Sequence, residues 1–176
     1  MPLQTPNVFI FPRQEPGTQG HLDLVEPLRS LPDALAAALK GITDAQARFT
    51  AEDGGWCIKE IAGHMRDSCE INHQRLYMVS TQTDPVLDDY DGEALVRERK
   101  YAQRDLDEII AGLRDARAAT VRLLTTLVNW NWARTGQFAG DGRLSIRQKV
   151  DDMIRHEAQH LEDIRRLRAL AQAASE

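Results

Sequence analysis

The sequence predicts an all-α protein, a four-helix bundle preceded by an extended N-terminal arm. Four segments of roughly 15 to 30 residues repeat apolar side chains at helical spacing. No segment shows the alternation of apolar and polar residues that indicates a half-buried strand. We therefore divide the chain into an arm, residues 1–20, and one bundle domain, residues 21–176. The arm is expected to be extended because it contains Pro2, Pro6, Pro12 and Pro16.

The first two helices are predicted at about residues 22–40 and 57–80. Pro32 lacks the backbone N–H that a helix interior needs, so we expect a break or a kink in the first helix at this point. Ser30 is suited to cap the helix where it restarts. The second helix has an apolar stripe that includes Ile61, Met65 and Leu76.

The last two helices have recognisable N-terminal signals. Asp105 can cap the third helix. Ser145 and Gln148 form a capping box at the start of the fourth, in which each side chain satisfies a free backbone N–H. A short helix at residues 93–100 and an irregular link rich in glycine and aromatic residues, 129–143, complete the chain. The connections are long, so the order of the helices in the bundle stays open at this point.

Composition excludes several classes of function. The formal charge of −5 is spread along the chain and gives no basic patch, so nucleic acid is not expected as a partner. No apolar run approaches the roughly 20 residues needed to span a membrane, and no signal peptide is recognisable, so we expect a cytoplasmic protein. Cys57 and Cys69 lie about 18 Å apart on one predicted helix, too far for a disulfide, and are expected to be reduced.

The fourth helix contains HEAQH, residues 156–160, a match to the His-Glu-x-x-His pattern of zinc peptidases. On a helical wheel His156 and His160 fall on the same stripe as the apolar residues Met153 and Ile164. The two imidazoles lie one turn apart on this stripe, where they can meet one cation. Two buried imidazoles without a ligand would each need other hydrogen-bond partners. The pair predicts a metal site.

A peptidase is the weaker interpretation of the motif. The longer peptidase pattern requires glycine and histidine at the positions of Asp163 and Arg166. A third ligand must therefore come from upstream, from His21, His64, His73 or an acidic residue. His64 is the best candidate, because it borders the apolar stripe of the second helix, whereas His73 lies about 180° away on the same helix.

The sequence resembles the DinB/YfiT-like superfamily, a metalloprotein group unrelated to the DNA polymerase of the same name. The resemblance rests on WCIKEIAGHMRD at residues 56–67, followed about a hundred residues later by the HEAQH motif. It implies a four-helix bundle of up-down-down-up order, often dimeric. It also implies a metal site whose three histidines match His64, His156 and His160.

This resemblance implies a divalent ion, either zinc, nickel or iron, with positions left for a substrate. We expect an enzyme that transfers a low-molecular-weight thiol to an electrophilic small molecule, acting as a homodimer. One alternative is a hydrolase that uses metal-bound water. Another, from a different class, is a stress-related metal-binding or dimerisation module without catalysis.

Two acidic residues are candidates for supporting roles. Glu157 borders the histidines on the wheel and could shuttle a proton, or it could be an ordinary exposed glutamate. Asp67, one turn after His64, could orient an imidazole. It could equally be an exposed acid paired with a neighbouring arginine.

Overall fold

The computed structural model describes residues 19–51 and 54–174, so most of the predicted arm, residues 1–18, lies outside the described residues. Among those residues helices dominate, as predicted, and a small sheet is added. In chain order the elements are α1 (Gln19–Leu39), α2 (Asp44–Ala47), α3 (Ile58–Thr81), β1 (Val86–Leu87), α4 (Gly92–Arg99), a 3-10 turn (Tyr101–Gln103), α5 (Leu106–Thr126), α6 (Asn129–Trp132), β2 (Thr135–Phe138), β3 (Gly142–Ser145) and α7 (Ile146–Ala173).

The four long helices form a bundle in which α1 and α3 each pack against α5 and α7. The first two long helices of the chain therefore lie diagonally opposite each other. Helix α7 runs parallel to α1, α5 runs parallel to α3, and these two pairs are antiparallel, which confirms the up-down-down-up order. The contacts between α1 and α7 are His21–Arg147 and Ala38–Arg168. Those between α3 and α5 are Arg66–Gly112 and Cys69–Arg117. Between α1 and α5, Asp33 pairs with Arg114, and Arg29 and Arg122 line the same cleft.

The predicted caps of the last two long helices are present. Asp105 accepts hydrogen bonds from the backbone N–H groups of residues 107 and 108 at the start of α5. The Gln148 side chain accepts from the Ser145 N–H at 2.9 Å, and the Ser145 hydroxyl accepts from the Gln148 N–H at 3.2 Å. This capping box sets the residue at which α7 begins. It therefore also sets the distance along the helix axis from that end to the HEAQH motif.

Of the two outcomes predicted at Pro32, a break or a kink, the break is wrong. Helix α1 continues from Gln19 to Leu39 with Pro27 and Pro32 inside it. The Ser30 hydroxyl, which we expected to cap a restart, donates to the Pro27 carbonyl at 3.1 Å. The apolar face of α1 is buried against its neighbours, and this packing outweighs the loss of two backbone hydrogen bonds.

The expectation of an entirely irregular link before α7 is also wrong. Strands β2 and β3 form an antiparallel hairpin, and β1 adds to β2 in parallel, giving the order β1-β2-β3. Gly140 in the turn and Gly142 at the start of β3 have φ of 83° and 81°, a region that favours glycine. The strands have two to four residues, too few for alternation to be recognised in the sequence.

The interior contains two main apolar clusters stacked along the bundle. The sheet-end core lies near the small sheet, and the open-end core lies near the start of α3. The sheet-end core includes Leu28, Leu76, Val79, Val121, Leu124, Phe138, Val150 and Met153. The open-end core includes Leu31, Leu35, Ile58, Met65, Cys69, Leu113, Leu161 and Ile164. No helix within the described ranges combines the length and apolar character needed to cross a bilayer.

Candidate metal centre

Three histidines from two helices meet near the middle of the bundle. His64 comes from α3, and His156 and His160 come from successive turns of α7. The antiparallel packing of α3 on α7 brings these positions together, although 92 residues separate His64 from His156. His64 is 8% exposed, and the two histidines of α7 are more open to solvent. The structure thus brings together the three histidines singled out in the sequence.

The three Nε2 atoms converge on one point. His156 Nε2 lies 3.2 Å from His64 Nε2 and 3.1 Å from His160 Nε2. A tetrahedral ion with Zn–N bonds of about 2.0–2.1 Å would separate two nitrogen ligands by about 3.4 Å, close to these distances. Convergent lone pairs on neutral imidazoles repel one another unless a cation or a proton lies between them. The side chains therefore fit a three-nitrogen site for one divalent ion.

Electrostatics keep these imidazoles neutral, which is the form that binds a metal. Burial is the main cause that lowers the pKa of His64 to about 4, and the neighbouring His160 and His156 add to it. Burial likewise lowers the pKa of His156 to about 4, helped by His160 and Lys149. Burial also lowers the pKa of His160, although the Asp163 carboxylate opposes this shift.

Three neighbours lie against His64 or His160, and one of them, Trp56, is the first residue of the WCIKEIAGHMRD motif. Asp163 Oδ2 lies 3.5 Å from His160 Nδ1, on the side of the ring away from the convergence point. The Trp56 ring lies 4.9 Å from the His64 ring. Gly92, the first residue of α4, approaches His64 so closely that an added Cβ would lie 2.9 Å from its Cε1. Asp163 also had a local sequence signal, the i, i+3 spacing from His160, whereas Gly92 had none.

Two clefts flank the three histidines. A cleft of about 190 Å³ beside His160 is lined by Trp56, Ile61 and Leu167, together with the charged Asp163 and Arg166. A smaller cleft of about 90 Å³ beside His156 also has polar and apolar walls. It is lined by Ser68, Asn72, Tyr90, Lys149, Asp152 and Met153. Asn72 is 6% exposed, and its Oδ1 has no hydrogen-bond partner in the protein. A small molecule can therefore approach the histidines from two sides.

A further cleft, of about 670 Å³, contains none of the three histidines. It lies between the end of α1, the short α2 and the start of α5. Its buried Lys59 ammonium already bonds to Asp44 and to the Arg104 carbonyl oxygen. The smaller clefts are the better candidates for a functional site, because each adjoins one of the three clustered histidines.

Neither interpretation of Glu157 agrees with the structure. Glu157 is only 5% exposed, so it is not an ordinary surface glutamate. Its carboxylate points into the interior, where it pairs with Arg117 of α5, and so it is not placed to shuttle protons at the histidines. Burial raises the pKa of Glu157 to about 7, against the opposing effect of Arg117.

The predicted role of Asp67 in orienting an imidazole is not observed. The Asp67 carboxylate accepts hydrogen bonds from the Tyr101 hydroxyl and the Arg99 guanidinium. It is 1% exposed, so the alternative of an exposed acid is also wrong, although the arginine partner is present. Asp67 ties α3 to the segment that contains α4, and its connection to the site is through the position of that segment.

The two remaining histidines lie away from the convergence point. His21 stacks on Trp132 with ring centroids 4.7 Å apart. His73 is half-buried on α3, where burial lowers its pKa and Arg122 contributes. The cluster of His64, His156 and His160 is the one group of three metal-ligating side chains found among residues 19–51 and 54–174.

Comparison with known proteins agrees with this architecture. A family model described as the DinB superfamily matches residues 28–164, more than half of the chain. The chain belongs to the DinB superfamily. The solved structure of YfiT from Bacillus subtilis, described as an "unusual four-helix bundle topology", matches with a TM-score of 0.80 at 22% identity. That match covers 89% of this chain and 90% of the YfiT chain, and it supports the fold.

Two curated relatives also match. "Putative metal-dependent hydrolase YfiT" from Bacillus subtilis (strain 168) is 26% identical over 110 residues, 62% of each chain. A "Putative metal-dependent hydrolase" from Geobacillus thermodenitrificans (strain NG80-2) is 32% identical over 63 residues, 36% of this chain and 35% of that protein. The chain therefore spans less than two thirds of the length of either relative. Together with the histidine cluster, these relatives support a metal-dependent function.

Proposed function

We propose that this DinB-superfamily protein is a metal-dependent enzyme that uses His64, His156 and His160 to bind one divalent ion. The convergence of the three Nε2 atoms carries this proposal. A structural zinc usually has four protein ligands, whereas three ligands beside two clefts leave room for a substrate. Zinc, nickel and iron all accept imidazole ligands, so the ligand set is compatible with each of them.

When bound, such an ion supplies Lewis-acid chemistry, because three neutral imidazoles leave its positive charge intact and able to promote deprotonation of a thiol or of water. The contribution of the surrounding side chains is to position the imidazoles. Asp163 favours the tautomer of His160 that carries its proton on Nδ1. Trp56 and the start of α4 limit the movement of the His64 ring. These contacts restrict the His64 and His160 rings in the positions that suit an ion.

The reaction that we propose is transfer of a low-molecular-weight thiol to an electrophilic small molecule. Two separate clefts, one beside His156 and one beside His160, support a reaction of two substrates. The burial of Glu157 supports it as well, because the motif's own carboxylate is not available as a base. A thiol, with a pKa of about 8.5, needs less help to ionise than water, with a pKa of about 15.7.

Hydrolysis is the second candidate. The names of the two curated relatives favour it, and so does Asp152, a carboxylate that lines the cleft beside His156. A carboxylate at this position could accept a proton from water.

Metal content of untagged protein tests the site. We expect about one divalent ion per chain, and loss of that ion in His64→Ala and His160→Ala, since two remaining imidazoles bind weakly. His73→Ala is the matched control, because His73 lies on α3 but outside the cluster, and it should retain the ion. A wild-type protein that takes up no zinc, nickel or iron would overturn the proposed site.

An activity assay separates the two reactions. A model electrophile should be consumed only when both metal and a thiol are present, and chelation should abolish turnover. Metal-dependent turnover without thiol would identify a hydrolase instead. A metal-loaded protein that turns over neither substrate would favour the non-catalytic binding module.

The proposal retains three further expectations. The clefts of about 90 and 190 Å³ support a small-molecule substrate, because they are too small for a macromolecule. The free thiols of Cys57 and Cys69 are compatible with a cytoplasmic location. A homodimer follows from the family resemblance. The molar mass measured by light scattering during size-exclusion chromatography, at two protein concentrations, would test it.

A further inference from the structure

A polar layer interrupts the apolar interior at the level of the three histidines. On α5, Arg117 lies one turn from Leu113 of the open-end core and one turn from Val121 of the sheet-end core. On α7, Glu157 lies in the same way between Leu161 and Met153, one turn from each. Apolar residues would be expected at both positions, since each has core residues at i−4 and i+4.

The layer is built around one guanidinium group. Arg117 is 1% exposed, and its Nη2 donates to the Glu157 carboxylate of α7 and to the Cys69 sulfur of α3, the latter at 2.8 Å. Arg117 therefore reaches from a third helix to both helices that contain the candidate ligands. Cys69 follows His64 by five residues, and Glu157 directly follows His156.

This arrangement is poorly suited to stabilising the fold. Moving two charges out of water is costly, and apolar side chains of similar volume often serve stability as well or better. Arg117 also has two buried nitrogens, Nε and Nη1, without a hydrogen-bond partner in the protein. Such groups carry a desolvation cost. The layer therefore needs an explanation other than stability, and buried polar pairs are best established as devices that fix helix register.

The rotation and height of α7 relative to α3 decide whether the three candidate ligands meet, because these ligands lie on the two helices. A rotation of α7 by one residue would turn His156 and His160 by about 100°, and a slip by one turn would shift them by about 5.4 Å. Either change would leave Glu157 unable to meet Arg117. Apolar side chains at these positions would tolerate small rotations and slips, because their contacts have no direction.

From this geometry we infer that Arg117 and Glu157 are positioning residues for the metal site, which set the rotation and height of α7 against α3. The inference rests on the proposed function, because it concerns the same three histidines. Neither residue contacts the convergence point of the Nε2 atoms, so both act through the helices that carry the ligands.

The test compares metal affinity with stability. In Arg117→Met/Glu157→Leu both charges are removed together, so the helices should still pack. Val121→Ala, one turn along α5, is the matched control, because it weakens the adjacent core and leaves both charged side chains in place. The probe is Co²⁺, whose visible absorption reports coordination geometry, with affinity measured against a competing chelator. Circular dichroism and thermal unfolding monitor the fold.

We expect the double variant to remain helical, to be at least as stable as Val121→Ala, and to bind Co²⁺ about tenfold more weakly than wild type with an altered spectrum. Val121→Ala should keep the wild-type spectrum and affinity within about twofold. A folded double variant with wild-type affinity and spectrum would overturn the inference while leaving the proposed function intact. No Co²⁺ uptake by wild type would overturn both.

If the double variant does not fold, Arg117→Lys decides. Lysine keeps the charge but lacks the planar fork with which Arg117 meets Glu157 and Cys69. A positioning role requires weaker Co²⁺ binding and a changed spectrum in this variant. Unchanged binding by a folded Arg117→Lys protein overturns the inference.

Discussion

At the scale of single residues, Gly92 shows how closely the histidine cluster is enclosed. It starts α4 against the edge of the His64 imidazole, where a methyl group would lie 2.9 Å from Cε1 and 3.0 Å from Nδ1. The imidazole ring can move away from such a methyl group only by turning about its side-chain bonds, and this would take Nε2 out of the convergence point.

Gly92→Ala should therefore weaken metal binding by about tenfold, as other changes next to a metal ligand do. Alanine has the higher helix propensity, by up to about 1 kcal/mol, so the variant should not lose comparable stability. Titration with zinc against a chelator, beside thermal unfolding of the metal-free protein, measures both quantities. Glu93→Ala, at the exposed next position, is the control and should bind as wild type does. Equal affinities in the two variants would contradict this account of Gly92.

The residue scale also shows what the sequence could predict and what it missed. The histidines were found because imidazoles on an apolar stripe need a partner. Glu157 falls between the core residues Ile146 and Val150 on the same helical wheel, so its burial was also indicated by its position. A glutamate at such a core position requires a buried partner of opposite charge, and here that partner is Arg117. The distance between α5 and α7 along the chain hides that partner from any local pattern.

At the scale of elements, the contact between α3 and the 3-10 turn depends on Gly63. A Cβ at this position would lie 2.1 Å from Cγ of Tyr101, a rigid and fully buried ring. A Cβ at Gly112 of α5 would meet the Nε of Arg66 at 2.4 Å, but that side chain is flexible and only half-buried. The two glycines therefore differ in what an added methyl group displaces.

Gly63→Ala should lower the free energy of unfolding by about 2 kcal/mol, as overpacking of a core does. Gly112→Ala should change it by less than about 1 kcal/mol, because the arginine can move and alanine favours the helix. Urea unfolding followed by circular dichroism measures both. Similar losses in the two variants would show that the Tyr101 contact is not the cause.

Element prediction was accurate where the signal was local and long. The Asp105 cap and the Ser145–Gln148 capping box are present, because capping involves residues within one turn. The prediction failed at Pro32 and at the β2–β3 hairpin. In the first case tertiary packing of α1 outweighs a local breaker, and in the second the strands are too short to show a period.

At the scale of the whole molecule, the histidines make the stability of the metal-free protein depend on pH. His64 and His156 have pKa values of about 4 in the folded chain against 6.5 when unfolded. Between these values the unfolded chain binds more protons, so these groups contribute stability that is present above about pH 6.5 and lost as the pH falls towards about 4. Glu157 acts in the opposite direction, because burial raises its pKa to about 7.

A difference measurement isolates the histidines. The urea midpoint of chelator-treated wild type should fall between about pH 7.5 and about pH 5 by more than that of His64→Gln/His156→Gln, which retains Glu157 but lacks the two imidazoles. Saturating zinc should reduce the wild-type loss, since a bound ion keeps the imidazoles deprotonated. Equal losses in wild type and variant would show that the pKa of neither histidine is lowered by folding.

The diagonal placement of α1 and α3 has a consequence for the order of events during synthesis. The first two long helices share no extended interface, so they cannot form a stable helical hairpin as they leave the ribosome. Both helices pack against α5, which is synthesised next, and against α7, which is synthesised later. Until α7 has been made, the growing chain holds one imidazole of the three, His64. An ion that requires all three is thus acquired after the bundle has assembled, and it cannot guide the earlier steps of folding.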